Sequence, residues 1–325
     1  MNSKFRTIFA ITMAVTLAFF SLPNAAQTYP SRTITVVNPW PAGGVADSIV
    51  RPVMQRLATK LNTSIVVDNK PGANGMIGAT FVAKAPPDGY TIYVAHVGTM
   101  AISPALVAKM PFDTLTDFVP ITQMVSGSLV LVMRKEIPIN TISELIAYAK
   151  ARPDQISYGS SGNGSTNHLS GALLALMSNT SMLHVPYKGD VPLMADLLGG
   201  QISMGFMGLS AAMPYLNDGR LRGIAVTTLK RSAVLPNLPT IAETLPGYEV
   251  NSWYGLMAPA GTPKPIVELL HKEATETLNT PEIVALLKQR GLEVVGSTPD
   301  QYTTKIKEDM SRWATLIKAT GIKLE

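Results

Sequence analysis

Two glycine-rich turns hold the residue types in this chain that could do chemistry. The first is Trp40-Pro41-Ala42-Gly43-Gly44-Val45-Ala46-Asp47, and the second, about 120 residues on, is Ser160-Ser161-Gly162-Asn163-Gly164-Ser165-Thr166-Asn167. Each comes after a strand-like run and opens a helix-like one. Glycines let the backbone approach a ligand closely, and the free N–H groups of a first helical turn attract a carboxylate or phosphate, helped by the positive end of the helix dipole. That chemistry is binding, not bond-making. The pair reads as two halves of one anion-binding cleft, with Gly43, Gly44 and Asp47 facing the ligand from one side and Ser161, Gly164, Ser165, Thr166 and Asn167 from the other. Thr99, at the end of the Ala95–Thr99 loop, and the Gly189-Asp190 turn are further candidates. Trp40 either walls the cleft with apolar surface or packs as an ordinary aromatic.

Asp47 has two readings. It caps the helix it opens by accepting backbone N–H bonds, or it contacts the ligand. A carboxylate there repels an anion at the same terminus, so a ligand contact would be to a hydroxyl, an amine or a bridging water. The second turn is not a dinucleotide fingerprint, because no glycine lies three residues after Gly164, and it is neither a P-loop nor a G-x-S-x-G elbow. Its side chains are uncharged, so recognition rests on backbone N–H groups, hydroxyls and water.

Catalytic and metal chemistry find no foothold. His96, His168, His184 and His271 are separated by 72, 16 and 87 residues, which is not metal-ligand spacing, and structural roles are expected for them. No Ser/His/Asp order or paired carboxylates stand out. The chain has no cysteine, which removes disulfides, thiol catalysis, iron–sulfur clusters and a lipobox anchor. Lys188 could bring a cation to the cleft or stay an exposed loop lysine. Met204, Met207 and Met213 read as core fillers, and the Asn-x-Ser/Thr matches at Asn62, Asn163 and Asn179 matter only in a glycosylating host.

The elements that must position the turns alternate. Strand-like Ile34–Val37 precedes a helix from about Asp47 to Lys60, then come Ile65–Val67, a helix near Gly75–Lys84, and Thr91–Val94 as an edge-like strand after the Ala85–Tyr90 turn. That order is the signature of a parallel sheet covered by helices. In the first helix Ile49, Val50, Val53, Met54, Leu57 and Leu61 share one face, and Pro52 requires a late start or a bend. A second series comes next: strand Leu129–Met133, a helix opened by the capping box Thr141-Ile142-Ser143-Glu144, strand Ile156–Tyr158, a helix from about Asn167 to Met177, strand Leu183–Pro186, a helix near Pro192–Leu198, and strands Ile202–Phe206 and Gly223–Thr227. Thr262-Pro263, Thr280-Pro281 and Thr298-Pro299 mark helix starts in the last third, and Gly291 a helix end.

The chain has 325 residues, 46% of them hydrophobic and 15% charged, which is a compact composition without charged tails. Lys4 and Arg6, the apolar run Ile8–Leu22 and Pro23-Asn24-Ala25-Ala26 match a secretory signal, so residues 1–26 are set aside and the periplasm is the expected compartment. The formal charge of +5 falls to about +3 without those two cations and forms no basic stripe, so no nucleic acid is implied. The two series place residues 27–124 with 251–325 in one domain and 125–250 in the other, hinged near Gln123–Gly127 and Tyr248–Trp253.

Ordered motifs cover nearly all of the remaining chain: Tyr29-Pro30-Ser31-Arg32, the Gly43-to-Asp47 turn, Val66–Gly75, Pro87-Asp88-Gly89-Tyr90-Thr91, His184–Gly189, Asp196–Gln201 and Leu238–Glu243. In these the chain resembles the Bug family of extracytoplasmic solute-binding proteins, relatives of the tricarboxylate-binding component of tripartite tricarboxylate transporters. The resemblance implies an α/β, two-domain type II periplasmic-binding-protein fold, each domain a mostly parallel sheet flanked by helices, closing over a small carboxylate. It implies no cofactor, and membrane permease subunits or a membrane sensor as partners. Ala46, Trp40 and Gly208 depart from the common pattern, where a hydroxyl-bearing residue, a phenylalanine and an aspartate are usual, so no particular substrate carries over. The expectation is a monomeric binding protein that captures a small organic acid; a ligand-sensing module is the alternative, and an exported enzyme acting on a carboxylate the third class.

Overall fold

The computed structural model describes residues 29–321, so the expected export signal lies outside the described residues. Arg32 onward forms one compact unit, and it contains every strand and helix among the described residues. The order is β1 (Ile34–Asn38), α1 (Val45–Lys60), β2 (Ile65–Asn69), α2 (Met76–Ala83), β3 (Thr91–His96), α3 (Ser103–Leu106), β4 (Phe118–Arg134), α4 (Ile142–Ala151), β5 (Ser157–Ser160), α5 (Thr166–Ser178), β6 (Leu183–Pro186), α6 (Asp190–Leu198), β7 (Met204–Gly208), α7 (Leu209–Asn217), β8 (Leu221–Val226), β9 (Asn251–Pro259), α8 (Lys264–Leu278), α9 (Pro281–Gln289), β10 (Leu292–Val294) and α10 (Pro299–Thr320).

The strands run β2-β1-β3-β9-β4-β7-β5-β6, with β8 and β10 also paired to β4. Two parallel triads, β2-β1-β3 and β6-β5-β7, flank an antiparallel pair, β9 and β4. Each glycine turn leaves the carboxyl end of the central strand of its triad, β1 or β5, where ligands of open α/β sheets sit. The sheets are therefore mixed: the expected parallel sets are present, and the crossing strands add the antiparallel ladders.

β4 is longer than its sequence suggests. Only Leu129–Met133 has the apolar run of a strand, yet the strand starts at Phe118, passing Pro120 and Gly127. Two register shifts against β9, at Pro120/Thr122 and Gln123/Val125, absorb the residues that break the pattern. β4 pairs with β9 and β10 over its first part and with β7 and β8 from Leu129 on. Nor is β3 an edge strand: β1 lies on one side and β9 on the other, and it is almost wholly buried. β9, arriving from over 150 residues downstream, covers the edge that local reading left open.

Burial explains the helices. Ile49, Val50, Val53, Met54 and Leu57 of α1 are all buried, as their spacing predicts, each worth about 1.5–3 kcal/mol of transfer. Pro52 does not delay α1; it lies inside the helix, seven residues after Val45, and forgoes the bond to the Ser48 carbonyl. Of the three Thr-Pro starts only Thr298 caps with its side chain, in a full capping box with Gln301; the hydroxyls of Thr262 and Thr280 donate backward to Pro259 and Thr277 instead. Thr141 accepts from Glu144 N–H as expected, but Glu144 reaches back to Asn140 rather than to Thr141. Gly291 is left-handed just after α9, where an added Cβ would lie 2.6 Å from Leu209 Cβ. Trp253, fully buried on β9, donates to Asp309 of α10 at 2.7 Å, and Asp309 pairs with Lys305.

Candidate functional site

In the first turn Gly43 takes a left-handed φ of 79° and Gly44 is the residue before α1. Both glycine N–H groups are occupied, Gly43 by Asp47 Oδ2 at 3.0 Å and Gly44 by the Pro41 carbonyl at 3.3 Å. The donors left over are the first-turn N–H groups of Val45, Ala46 and Asp47, which have no partner among the described residues. Asp47, 5% exposed, accepts from Gly43, from Arg51 Nε at 2.8 Å, and from the side chains of Asn38 and Asn69 at 3.3 and 3.1 Å. Burial pushes its pKa up, but the hydrogen bonds from Arg51, Gly43 and Asn69 outweigh this and hold it at about 2. Its carboxylate thus ties the turn together. Trp40 is half-buried, and its indole Nε1 is buried with no hydrogen-bond partner among the described residues.

The second turn is braced from beneath. Ser165 is the N-cap of α5 and accepts from His168 N–H at 3.2 Å. Gly164 N–H donates to His168 Nδ1 at 3.1 Å, so His168 is neutral and carries its proton on Nε2. His168 stacks on His184 with ring centroids 3.8 Å apart, and His184 Nε2 lies 2.7 Å from Ser160 Oγ. Burial pulls the His168 pKa down to about 4; burial and then the neighbouring His168 pull His184 to about 3. Ser161 Oγ donates to Asn167 Oδ1 at 3.2 Å, and Asn167 Nδ2 donates to the Phe206 carbonyl at 2.6 Å. Thr166, first residue of α5 and 2% exposed, has a hydroxyl with no partner among the described residues. A buried hydroxyl without a partner costs about 1–3 kcal/mol, and a bound acceptor would recover it.

A chain of contacts runs from one turn to the other. Trp40 meets His96 edge-on at 5.6 Å, His96 lies 4.8 Å from the Tyr254 ring, Tyr254 feels the charge of Asp190, and Asp190 Oδ1 accepts from Asn167 Nδ2 at 3.4 Å. A second bridge runs from Asn74 Nδ2 to the Gly164 carbonyl at 3.4 Å. Thr99 is buried and its hydroxyl is spent on the Asn74 carbonyl at 2.6 Å, so it holds the Asn74 turn. Gly189, with φ of 108°, precedes α6, and Asp190 opens that helix. Two surface hollows lie elsewhere: one of about 770 Å³ against Met76, Ile77 and Phe81, the other of about 290 Å³ near Ser126 and Lys230; neither is lined by a candidate residue.

The Ala95–Thr99 loop was named from the sequence without the ring contacts of His96, and Tyr254, Asn74 and Arg51 were not singled out. Arg51 was open to a reader, since it stands four residues after Asp47 on the same helical face. Tyr254 was not, because only the pairing of β9 with β3 brings it beside His96. The isolated spacing of the histidines hid the His168–His184 stack, which comes from β5 and β6 lying side by side. No group of three or more metal-ligating side chains forms among the described residues.

The family described as "Tripartite tricarboxylate transporter family receptor" matches residues 49–322. Protein BugT of Bordetella pertussis is 33% identical over 322 residues, covering 98% of this chain and 99% of the relative. The solved structure of Rpa4515 from R. palustris with adipate is 36% identical with a TM-score of 0.86, covering 91% of this chain and 99% of that one. MatC from Rhodopseudomonas palustris with bound malate is 32% identical with a TM-score of 0.82, covering 89% and 100%.

Proposed function

The chain belongs to the tripartite tricarboxylate transporter receptor family, and from that premise we propose that it captures a small organic carboxylate between its two glycine turns and delivers it to a membrane transporter. The observation that carries this reading is that two of the six buried side-chain polar atoms left without a partner among the described residues, Thr166 Oγ1 and Trp40 Nε1, lie one in each turn. Two helix N-termini with free N–H groups lie next to them. The relatives with adipate and malate support a carboxylate as the ligand. Each helix-terminus contact is worth about 0.3–2 kcal/mol, whereas micromolar binding needs about 8 kcal/mol, so several such contacts must act together with water excluded.

Exclusion of water would come from closure of the domain of residues 27–124 and 251–325 onto that of 125–250. β4 and the chain near Tyr248–Trp253 serve as hinges. The place of action is the periplasm, reached through the export signal in residues 1–26. A thermal-shift screen against mono-, di- and tricarboxylates tests the reading. A ligand at a hundred times its Kd adds about 2.7 kcal/mol, or roughly 4 °C for a chain of this size. Stabilisation by sugars or cationic amino acids, with none by any carboxylate, would contradict it.

A further inference from the structure

Asp190, partly exposed at the start of α6, is hydrogen-bonded to Asn167 of the second turn. Of the acidic groups beside the two turns, Asp47 is paired with Arg51, but no ion pair among the described residues includes Asp190. Its one hydrogen bond comes from Asn167 Nδ2 at 3.4 Å, a donor whose shorter bond, 2.6 Å, goes to the Phe206 carbonyl. Facing it from β9 is Tyr254, neutral and held so by burial and by the charge of Asp190. Lys188, two residues before, is exposed and forms no ion pair. The N-terminus of α6 favours the ionised form, yet burial dominates and raises the Asp190 pKa to about 6, opposed by the Asn167 bond.

An anion held between the two turns, as proposed above, lies beside a carboxylate that no ion pair among the described residues neutralises. Two carboxylates at short range share one proton rather than both ionise. We infer that the cleft takes up its anionic ligand together with one proton from solvent, shared between the Asp190 carboxyl group and the ligand. This rests on the carboxylate reading above and adds the charge state of the ligand class: a carboxylate bound as its complex with one proton, not an ammonium-bearing one that would pair with Asp190 directly. Because the bound anion raises the Asp190 pKa further, affinity falls about tenfold per pH unit above the free value, until the bound value is passed.

The test is titration calorimetry of the full chain with adipate, malate and glutamate at pH 7 in two buffers of different ionisation enthalpy, with Asp190→Asn alongside. The expected result is uptake of close to one proton per bound carboxylate by the wild type and of close to none by the variant, whose affinity is flat between pH 6 and 8. Binding without proton uptake, uptake unchanged in Asp190→Asn, or binding of glutamate alone overturns the inference. If no carboxylate binds, the functional reading fails, and a carbon-13 NMR titration of the Asp190 carboxyl group decides the remainder: a midpoint near 6 supports an unneutralised Asp190, and one below 4.5 overturns it.

Discussion

Thr166 and Asp47 stand at equivalent places, each in the first turn of a helix after a glycine turn, and they do opposite things. The Asp47 carboxylate is saturated by internal donors; the Thr166 hydroxyl has none. Thr166→Val, similar in shape, should therefore leave the stability of the free protein unchanged or raise it, while weakening carboxylate binding by about 1–3 kcal/mol, measured by urea unfolding and calorimetry. Asp47→Asn should destabilise by about 2 kcal/mol at pH 7. Its pKa is depressed, so the stabilisation is present above the unfolded value of 3.8 and is lost as pH falls toward 2; wild type and variant should converge there in urea unfolding. That a carboxylate belonged at position 47 was legible in the sequence, and so was its choice between cap and contact. The internal partners of that carboxylate, Asn38 and Asn69 from β1 and β2, depended on two strands pairing.

Among the elements, α5 shows how tightly packing constrains a site helix. Gly171 sits inside it, and a Cβ there would lie 2.2 Å from Tyr158 Cε2, in the ring next to the His168–His184 stack. Gly171→Ala adds up to about 1 kcal/mol of helix propensity. Overpacking costs about 1–3 kcal/mol, so net destabilisation is expected, with weaker ligand binding as the second turn shifts on its stack; urea unfolding of the variant checks the sign. Helices whose apolar faces are continuous in sequence, such as α1, were legible to within two residues. β4 was not, because Pro120 and Gly127 interrupt its pattern and only the distant β9 gives those residues partners. The Thr-Pro starts were legible as helix boundaries, but which of them caps with its side chain was not: Thr298 does, whereas the hydroxyls of Thr262 and Thr280 take the backward carbonyl as an equal alternative.

At the scale of the whole molecule, burial of His96, His168 and His184 gives the protein an acid liability. All three have folded pKa values below the ordinary 6.5, at about 3, 4 and 3, so the unfolded chain binds more protons in acid. Stability should be full above pH 6.5 and fall as pH drops toward 4, by up to about 1.4 kcal/mol per pH unit for each histidine, partly offset by Asp190, which favours folding as it protonates below about 6. Urea unfolding between pH 4 and 8 checks the slope, and a stability flat across that range would contradict it. The α/β layout with two parallel triads was legible from the alternation of elements, whereas the antiparallel β9–β4 pair at the centre required contacts across more than 100 residues. The proposed binding site is the space between the two turns. Titration calorimetry of the protein at pH 6 with mono-, di- and tricarboxylates tests that most directly: the account predicts one-to-one binding of at least one carboxylate with micromolar Kd, weakened in Thr166→Val, and binding of a neutral sugar or a cationic amino acid with no carboxylate bound would contradict it.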